Sequence, residues 1–281
     1  MTRPIVVLGI AVVLCVCALS ANADTVVVNT GNPDGKIATA SRPSSPGHME
    51  IETADDFLLT QATVINGGTF TGLIPTGSTV ESVTIEFYHV FPVDSTNPPD
   101  NKVPTRMNSP SDVEFADRST ISSNLSFTTT VVNPMFTAAN SVVNGISCGN
   151  VPSPTPANCF TGGEGAVTGQ EVEFHFSIAP ESLPADHYFF VPQVELSDGT
   201  FLWLSAPKPI VAPGTPFVGD LQTWIRNSAL DPDWLRVGTD ITAQGPFNAS
   251  FTLTTAPEPC TLLLTGAGLL GLMLKRRVRP S

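Results

Sequence analysis

The chain has 281 residues, with 25 Asp and Glu against 13 Lys and Arg, only 14% charged residues, 26 Pro and 22 Gly. A net charge of −12 excludes a nucleic-acid binder, because neutralising phosphate needs clustered Lys and Arg, and the Pro and Gly content excludes a helical bundle or coiled coil. A mean hydropathy of +0.15 with so few charges is unusual for a soluble body and points either to a very apolar interior or to apolar segments outside the folded domain.

The first such segment opens the chain. Arg3 precedes an uncharged apolar run over 5–19, and Ala21-Asn22-Ala23 supplies a small-x-small site. This is the pattern of a secretory signal peptide spanning 1–23, cut by signal peptidase before Asp24. Cys15 and Cys17 lie inside the run and leave with it.

From there the body reads as strands. Val83, Ile85 and Phe87 alternate with Thr84, Glu86 and Tyr88 over 79–90, and Val172, Phe174, Phe176 and Ile178 alternate with Glu171, Glu173 and His175 over 170–178. A period of two marks half-buried strands. Further strands are predicted at 25–29, 56–59, 62–74, 125–132, 187–196, 200–205, 240–243 and 249–254. Ser197-Asp198-Gly199 between two apolar runs predicts a hairpin. Leu221, Trp224 and Ile225 fall at helical spacing after Asp220, so 219–230 reads equally as a short helix or a strand. The sum is an all-β domain over 24–255, an antiparallel β-sandwich with the jelly roll as one candidate wiring. Two long loops rich in Pro, Ser, Asn and Gly interrupt it at 92–124 and 145–169. The second holds Cys148 and Cys159, the two cysteines left in the body, and export into an oxidising compartment predicts a disulfide between them. Thr53-Ala54-Asp55-Asp56-Phe57 also resembles a motif near the first strands of exported, C-terminally anchored β-sandwich proteins.

Signals for chemistry are sparse. Gly145-Ile146-Ser147-Cys148-Gly149 matches a nucleophile elbow, but the Pro-rich sequence after it cannot supply the helix that exposes the serine. His48, His89, His175 and His187 show no zinc-ligand spacing. The carboxylate pairs Asp55/Asp56, Glu171/Glu173 and Asp231/Asp233 are expected on solvated surface, without the flanking cleft that glycoside hydrolysis needs. Asp55, Asp56 or Asp231-Pro232-Asp233 offer oxygen ligands for a structural calcium ion; no other metal or cofactor is expected. Trp203, apolar on both sides, is expected between the sheets. Trp224 and Trp234, beside a polar turn, are the candidate residues for stacking on sugar rings, which would make the body a lectin-like polysaccharide binder.

The C-terminus carries the most specific pattern. Pro257-Glu258-Pro259-Cys260-Thr261 leads into a Leu- and Gly-rich segment ending at Leu274, and Lys275, Arg276, Arg277 and Arg279 follow. A 15-residue apolar helix spans about 22 Å against a hydrocarbon core of roughly 30 Å, short but workable with a thinned bilayer or snorkelling basic side chains. The basic cluster marks the cytoplasmic end. Residues 256–281 resemble the PEP-CTERM sorting signal, matched at Pro257, Glu258, Pro259 and Thr261. The resemblance implies processing by an exosortase in a Gram-negative bacterium that makes exopolysaccharide, through an inner-membrane intermediate, with delivery to the cell surface, outer membrane or matrix. The expected function is structural or adhesive and non-enzymatic; a secreted hydrolase with a site assembled from distant residues is the weaker alternative. Arg3 and the four C-terminal cations account for 5 of the 13 basic residues and Glu258 for one of the 25 acidic ones, so the body keeps 8 against 24, a net −16.

Overall fold

The computed structural model describes residues 24–91, 108–143, 161–207, 222–228, 230 and 233–256. The chain divides into two units, residues 26–254 and residues 1–25 with 255–281. The signal segment with Ala21 and Ala23, the predicted Cys148–Cys159 bond, Asp231 and the sorting segment 257–281 lie outside the described residues. Among the described residues no helix is long and apolar enough to cross a membrane.

Strands dominate, in two sheets whose pairings are mostly antiparallel. The nine-stranded sheet contains β1 (Thr25–Asn29), β2 (Ile37–Ala40), β4 (Thr63–Ile74), β7 (Leu125–Ala138), β8 (Asn140–Val142), β9 (Val167–Leu183), β11 (Leu202–Ala206), β14 (Asn248–Ala249) and β15 (Phe251–Thr255). The six-stranded sheet contains β3 (Ile51–Leu58), β5 (Val80–His89), β6 (Ala116–Ser119), β10 (His187–Leu196), β12 (Trp224–Asn227) and β13 (Leu235–Arg236), in the order β13-β12-β3-β10-β5-β6. Strand β4 organises the larger sheet. One of its edges pairs with β9 along its length, so β15 and β11 share the other edge. Two glycines make this possible: a Cβ on Gly68 would lie 2.0 Å from the Thr252 carbonyl oxygen, and one on Gly67 2.5 Å from that of Phe176.

The predicted period-two faces become the core between the sheets. Val83, Ile85 and Phe87 from β5 and Val172, Phe174, Phe176 and Ile178 from β9 join one buried cluster with Phe57, Phe70, Trp203 and Phe251. Phe190 of β10 sits at its centre. Its ring centroid is 5.0 Å from Phe251, 5.7 Å from Phe176, 5.8 Å from Trp203 and 6.4 Å from Phe70, all on the opposite sheet. Trp203 lies where the sequence places it, with Nε1 donating to the Ser250 carbonyl at 2.9 Å.

Four expectations change. Ser197-Asp198-Gly199 is a turn, with Gly199 at φ +80°, but not a hairpin, because β10 and β11 belong to different sheets. Thr79 and Ser78 hold this turn through Ser197 N–H and Asp198 carbonyl contacts of 2.9 and 2.8 Å, so the chain crosses over there. The strand predicted at 240–243 is instead a π-helical turn, Val237–Ile241, into which Asp240 folds back to clasp Arg236 at 2.7 Å. The ambiguous 219–230 segment contributes a strand, β12, paired with β3 on one side and β13 on the other. The first long loop contains β6, which pairs with β5, and the second ends in the start of β9.

Because Phe190 fills the centre of the inter-sheet layer, Phe190→Ala is expected to destabilise the fold by about 3–5 kcal/mol. Urea unfolding followed by Trp fluorescence measures this, and a loss under 1 kcal/mol (roughly that of a surface substitution) contradicts the packing described.

Candidate functional site

Strand alternation on β3 sorts its polar residues between two faces. Thr53 and Asp55 point toward the nine-stranded sheet: Thr53 Oγ1 donates to the Ala40 carbonyl at 2.7 Å, and Asp55 accepts from Ala249 N–H at 3.0 Å and Thr223 Oγ1 at 3.1 Å. Glu52 and Asp56 point away from it. The adjacent carboxylates Asp55 and Asp56 are therefore buried on opposite faces, not solvated as expected. Burial, then the neighbouring Asp56 charge, raises the Asp55 carboxyl well above its ordinary range. Burial also raises Asp56, against the opposing effect of His187. His187 Nε2 lies 2.6 Å from Asp56 Oδ2, with side chains 3% and 1% exposed.

The far face of the six-stranded sheet carries a connected polar cluster. Arg226 stands directly across from Glu52 in the β12–β3 register. Its guanidinium pairs with both Glu52 oxygens through Nε and, at 3.1 Å, through Nη2. Nη2 also lies 3.1 Å from Tyr88 Oη, and Nη1 donates to the Asp112 carbonyl at 3.0 Å. The Trp234 ring stacks on the guanidinium, 4.4 Å from its carbon. Tyr88 Oη lies 2.6 Å from Glu52 Oε1 and 3.1 Å from Glu86 Oε2. A phenol has one proton. Given to Glu52, it leaves the Glu86 contact to be made by a proton on Glu86 itself. Burial, then the Glu52 charge, pushes Glu86 up to about 9, which keeps that proton in place at neutral pH. Burial raises the Tyr88 phenol as well. The chain of donors thus runs from Glu86 to Tyr88 to Glu52, closed by Arg226. Glu50 joins at the rim, accepting from Gln193 Nε2 at 3.0 Å.

Glu50, Glu52 and Glu86 each place an oxygen within 4.8 Å of the others, the one such convergence of possible metal ligands among the described residues. Tyr88 and Arg226 already use the Glu52 oxygens, so the cluster's arrangement fastens β3, β5 and β12 together. Asp55 and Asp56, the sequence's calcium candidates, are engaged by Thr223, Ala249 and His187, and Asp233 is fully buried.

The remaining candidates fall elsewhere. Trp224 and Trp234 have no exposed surface. They pack with Tyr88 and Phe189 on the far face of the six-stranded sheet, so the sugar-stacking shelf expected there is absent; a ring must be exposed to stack on a ligand. His175 forms a half-exposed pair with Glu173 at 2.7 Å, and Glu171, expected on solvated surface, is buried. A polar concavity of about 230 Å³ lies between the β2–β3 and β10–β11 turns, lined by Arg42, Ser45, His48, Glu195 and Asp198 among others. Sequence reading missed Glu52, Tyr88, Glu86 and Arg226. The one available signal was a lone Arg in an otherwise apolar Trp224-Ile225-Arg226 run. No family model, curated protein or solved structure matches the chain.

Arg226→Met leaves the buried Glu52 carboxylate without its cation and is expected to cost about 3–5 kcal/mol, whereas Glu52→Gln with Arg226→Met recovers most of that loss. Denaturant unfolding of the single and double variants checks both outcomes. Glu86 gives a pH test. Its carboxyl ionises near 4.5 when unexceptional and about 9 in the fold, so the folded chain holds an extra proton between those values. Its contribution is complete below pH 4.5 and declines as pH rises toward 9. Glu86→Gln is expected to flatten that decline in a profile of Tm against pH; an unchanged slope contradicts the protonated assignment.

Proposed function

We propose that this chain is an exported protein of the cell surface or exopolysaccharide matrix, structural or adhesive and non-enzymatic, whose body is an antiparallel β-sandwich. The observation that carries the reading is the ordered C-terminal set: Pro257-Glu258-Pro259-Cys260-Thr261, a Leu- and Gly-rich run, then Lys275, Arg276, Arg277 and Arg279. The signal-peptide pattern at the opposite end agrees with it independently. In this reading signal peptidase cuts before Asp24. The C-terminal segment then inserts in the inner membrane, and an exosortase cuts near Pro259. Two prolines enforce an extended backbone with no amide donor at either place, which suits presentation of the peptide to a protease cleft.

The body supports this role in three ways. Rings from both sheets meet in one aromatic layer, which supports a sandwich. Strands β1 and β15, which begin and end the described body, are neighbours in the nine-stranded sheet, so removal of either address leaves a paired strand behind. The polar cluster on the far face of the six-stranded sheet is committed to internal pairing, which fits a scaffold.

Intact mass spectrometry of the protein recovered from the surface and medium of the cells that make it tests the reading. The expected product begins at Asp24 and ends near Pro259, with the attachment visible as added mass. A product that retains Arg279 overturns the sorting assignment.

A further inference from the structure

The edges of the two sheets are not alike. Strand β6, one edge of the six-stranded sheet, has four residues and includes Asp117 and Arg118; β13, at the other edge, has two and includes Arg236. Short, charged edges resist pairing with another chain. Strand β7 is the opposite case. It has 14 residues, Leu-Ser-Phe-Thr-Thr-Thr-Val-Val-Asn-Pro-Met-Phe-Thr-Ala, with no charged side chain. Among the described residues it pairs with β9 alone. Most of its residues are exposed, including Val131 at 52%, Val132 at 56% and Met135 at 75%. Its C-terminal half is guarded by Pro134 and by register shifts after Val131 and Asn133. The half from Leu125 to Val131 runs in unbroken register with β9 and has none of those guards.

We infer that the Leu125–Val131 half of β7 pairs antiparallel with the same segment of a second copy of this chain, joining two nine-stranded sheets into one across a two-fold axis at Thr129. Two observations select a second copy over another partner. First, the segment is self-complementary: a two-fold at Thr129 sets Thr128 opposite Thr130 and Phe127 opposite Val131. Thr–Thr and aromatic–β-branched pairs are both favoured across antiparallel strands. Second, copies with a body charge of −16 repel each other, and an uncharged edge strand is where two of them approach at least cost. Glu173 and His175 on β9, in register with Thr130 and Thr128, contact each other at 2.7 Å. Such a pairing is isologous, so it closes as a dimer. An edge of seven residues buries less than a standard interface, which places the contact among the small, transient ones.

Sedimentation velocity of the purified full-length chain in detergent, from low to high micromolar concentration, tests the pairing. The wild-type chain is expected to dimerise over that range. Thr128→Lys with Thr130→Lys sets like charges opposite one another across the axis and is expected to give a monomer with an unchanged circular dichroism spectrum. Thr128→Glu with Thr130→Lys sets opposite charges at the same positions and is expected to restore the dimer. A monomeric wild type, or a dimer that survives the double Lys change, overturns the interface. A monomeric Glu/Lys variant overturns the two-fold at Thr129. None of these outcomes depends on how the C-terminus is processed, so this inference and the sorting proposal fail separately.

Discussion

The fold depends on the aromatic layer in which the two sheets meet. Phe190 contributes from one sheet and Phe70, Phe176, Trp203 and Phe251 from the other, with Phe70 and Phe174 stacked at 4.6 Å behind them. Rings of this size bury large apolar areas, but they also set conditions on the backbone around them. Gly72 on β4 lies where an added Cβ would fall 2.2 Å from Phe201 Cε2. That ring in turn meets Phe70 and Phe174 edge-on at 5.8 and 5.5 Å. Glycine in the middle of a strand weakens it; here it makes room for the ring that the core requires. The glycines of β4 and the phenylalanines facing them are one packing solution read at two places in the sequence.

The same layer explains which strands were legible. On β5 and β9 only one face is fully committed to the core, so alternation survives in the sequence and predicts the structure. On β3 and β10 almost every residue is buried, because the outer face of their sheet carries a second apolar cluster of Ala54, Tyr88, Phe189, Val191, Trp224 and Trp234. With both faces covered, polarity no longer reports exposure, so Asp55 and Asp56 read as surface and Glu52 gave no signal at all. Their partners lie far away: Arg226 is 174 residues from Glu52 and His187 is 131 from Asp56. Nothing local signals such a pairing. The segment 219–230 was ambiguous for a related reason, since helical spacing of Leu221, Trp224 and Ile225 is resolved only by the edge that β3 offers. At Ser197-Asp198-Gly199 the turn chemistry was readable, but not the sheet that the next strand joins.

The buried carboxylates also change what the acidic composition means. Counted as formal charges, the body stands at −16, yet Glu52, Asp55, Asp56, Glu171, Asp233 and Asp240 are buried. Several are matched by Arg226, His187 or Arg236, and Glu86 holds its proton. Fewer charges therefore face solvent than the composition implies. Self-repulsion keeps such bodies apart, but its strength follows the exposed charge, and that charge is unevenly placed.

This unevenness links the interior to the edges. Strand β7 gives Leu125 and Ala138 to the buried apolar clusters and packs Phe127 and Phe136 against them, while the residues it exposes are held mainly by the backbone pairing with β9. Selection for a monomer would place lysine or aspartate there, as the short edges of the smaller sheet carry Asp117, Arg118 and Arg236. Instead the strand's first half has threonines, a serine and apolar residues, and the bend-inducing Pro134 follows only afterwards. Guarding one half while leaving the other open limits how far a partner strand can extend. That combination restricts pairing to a fixed length and register, which is how an edge is used for a closed contact and kept from open-ended aggregation.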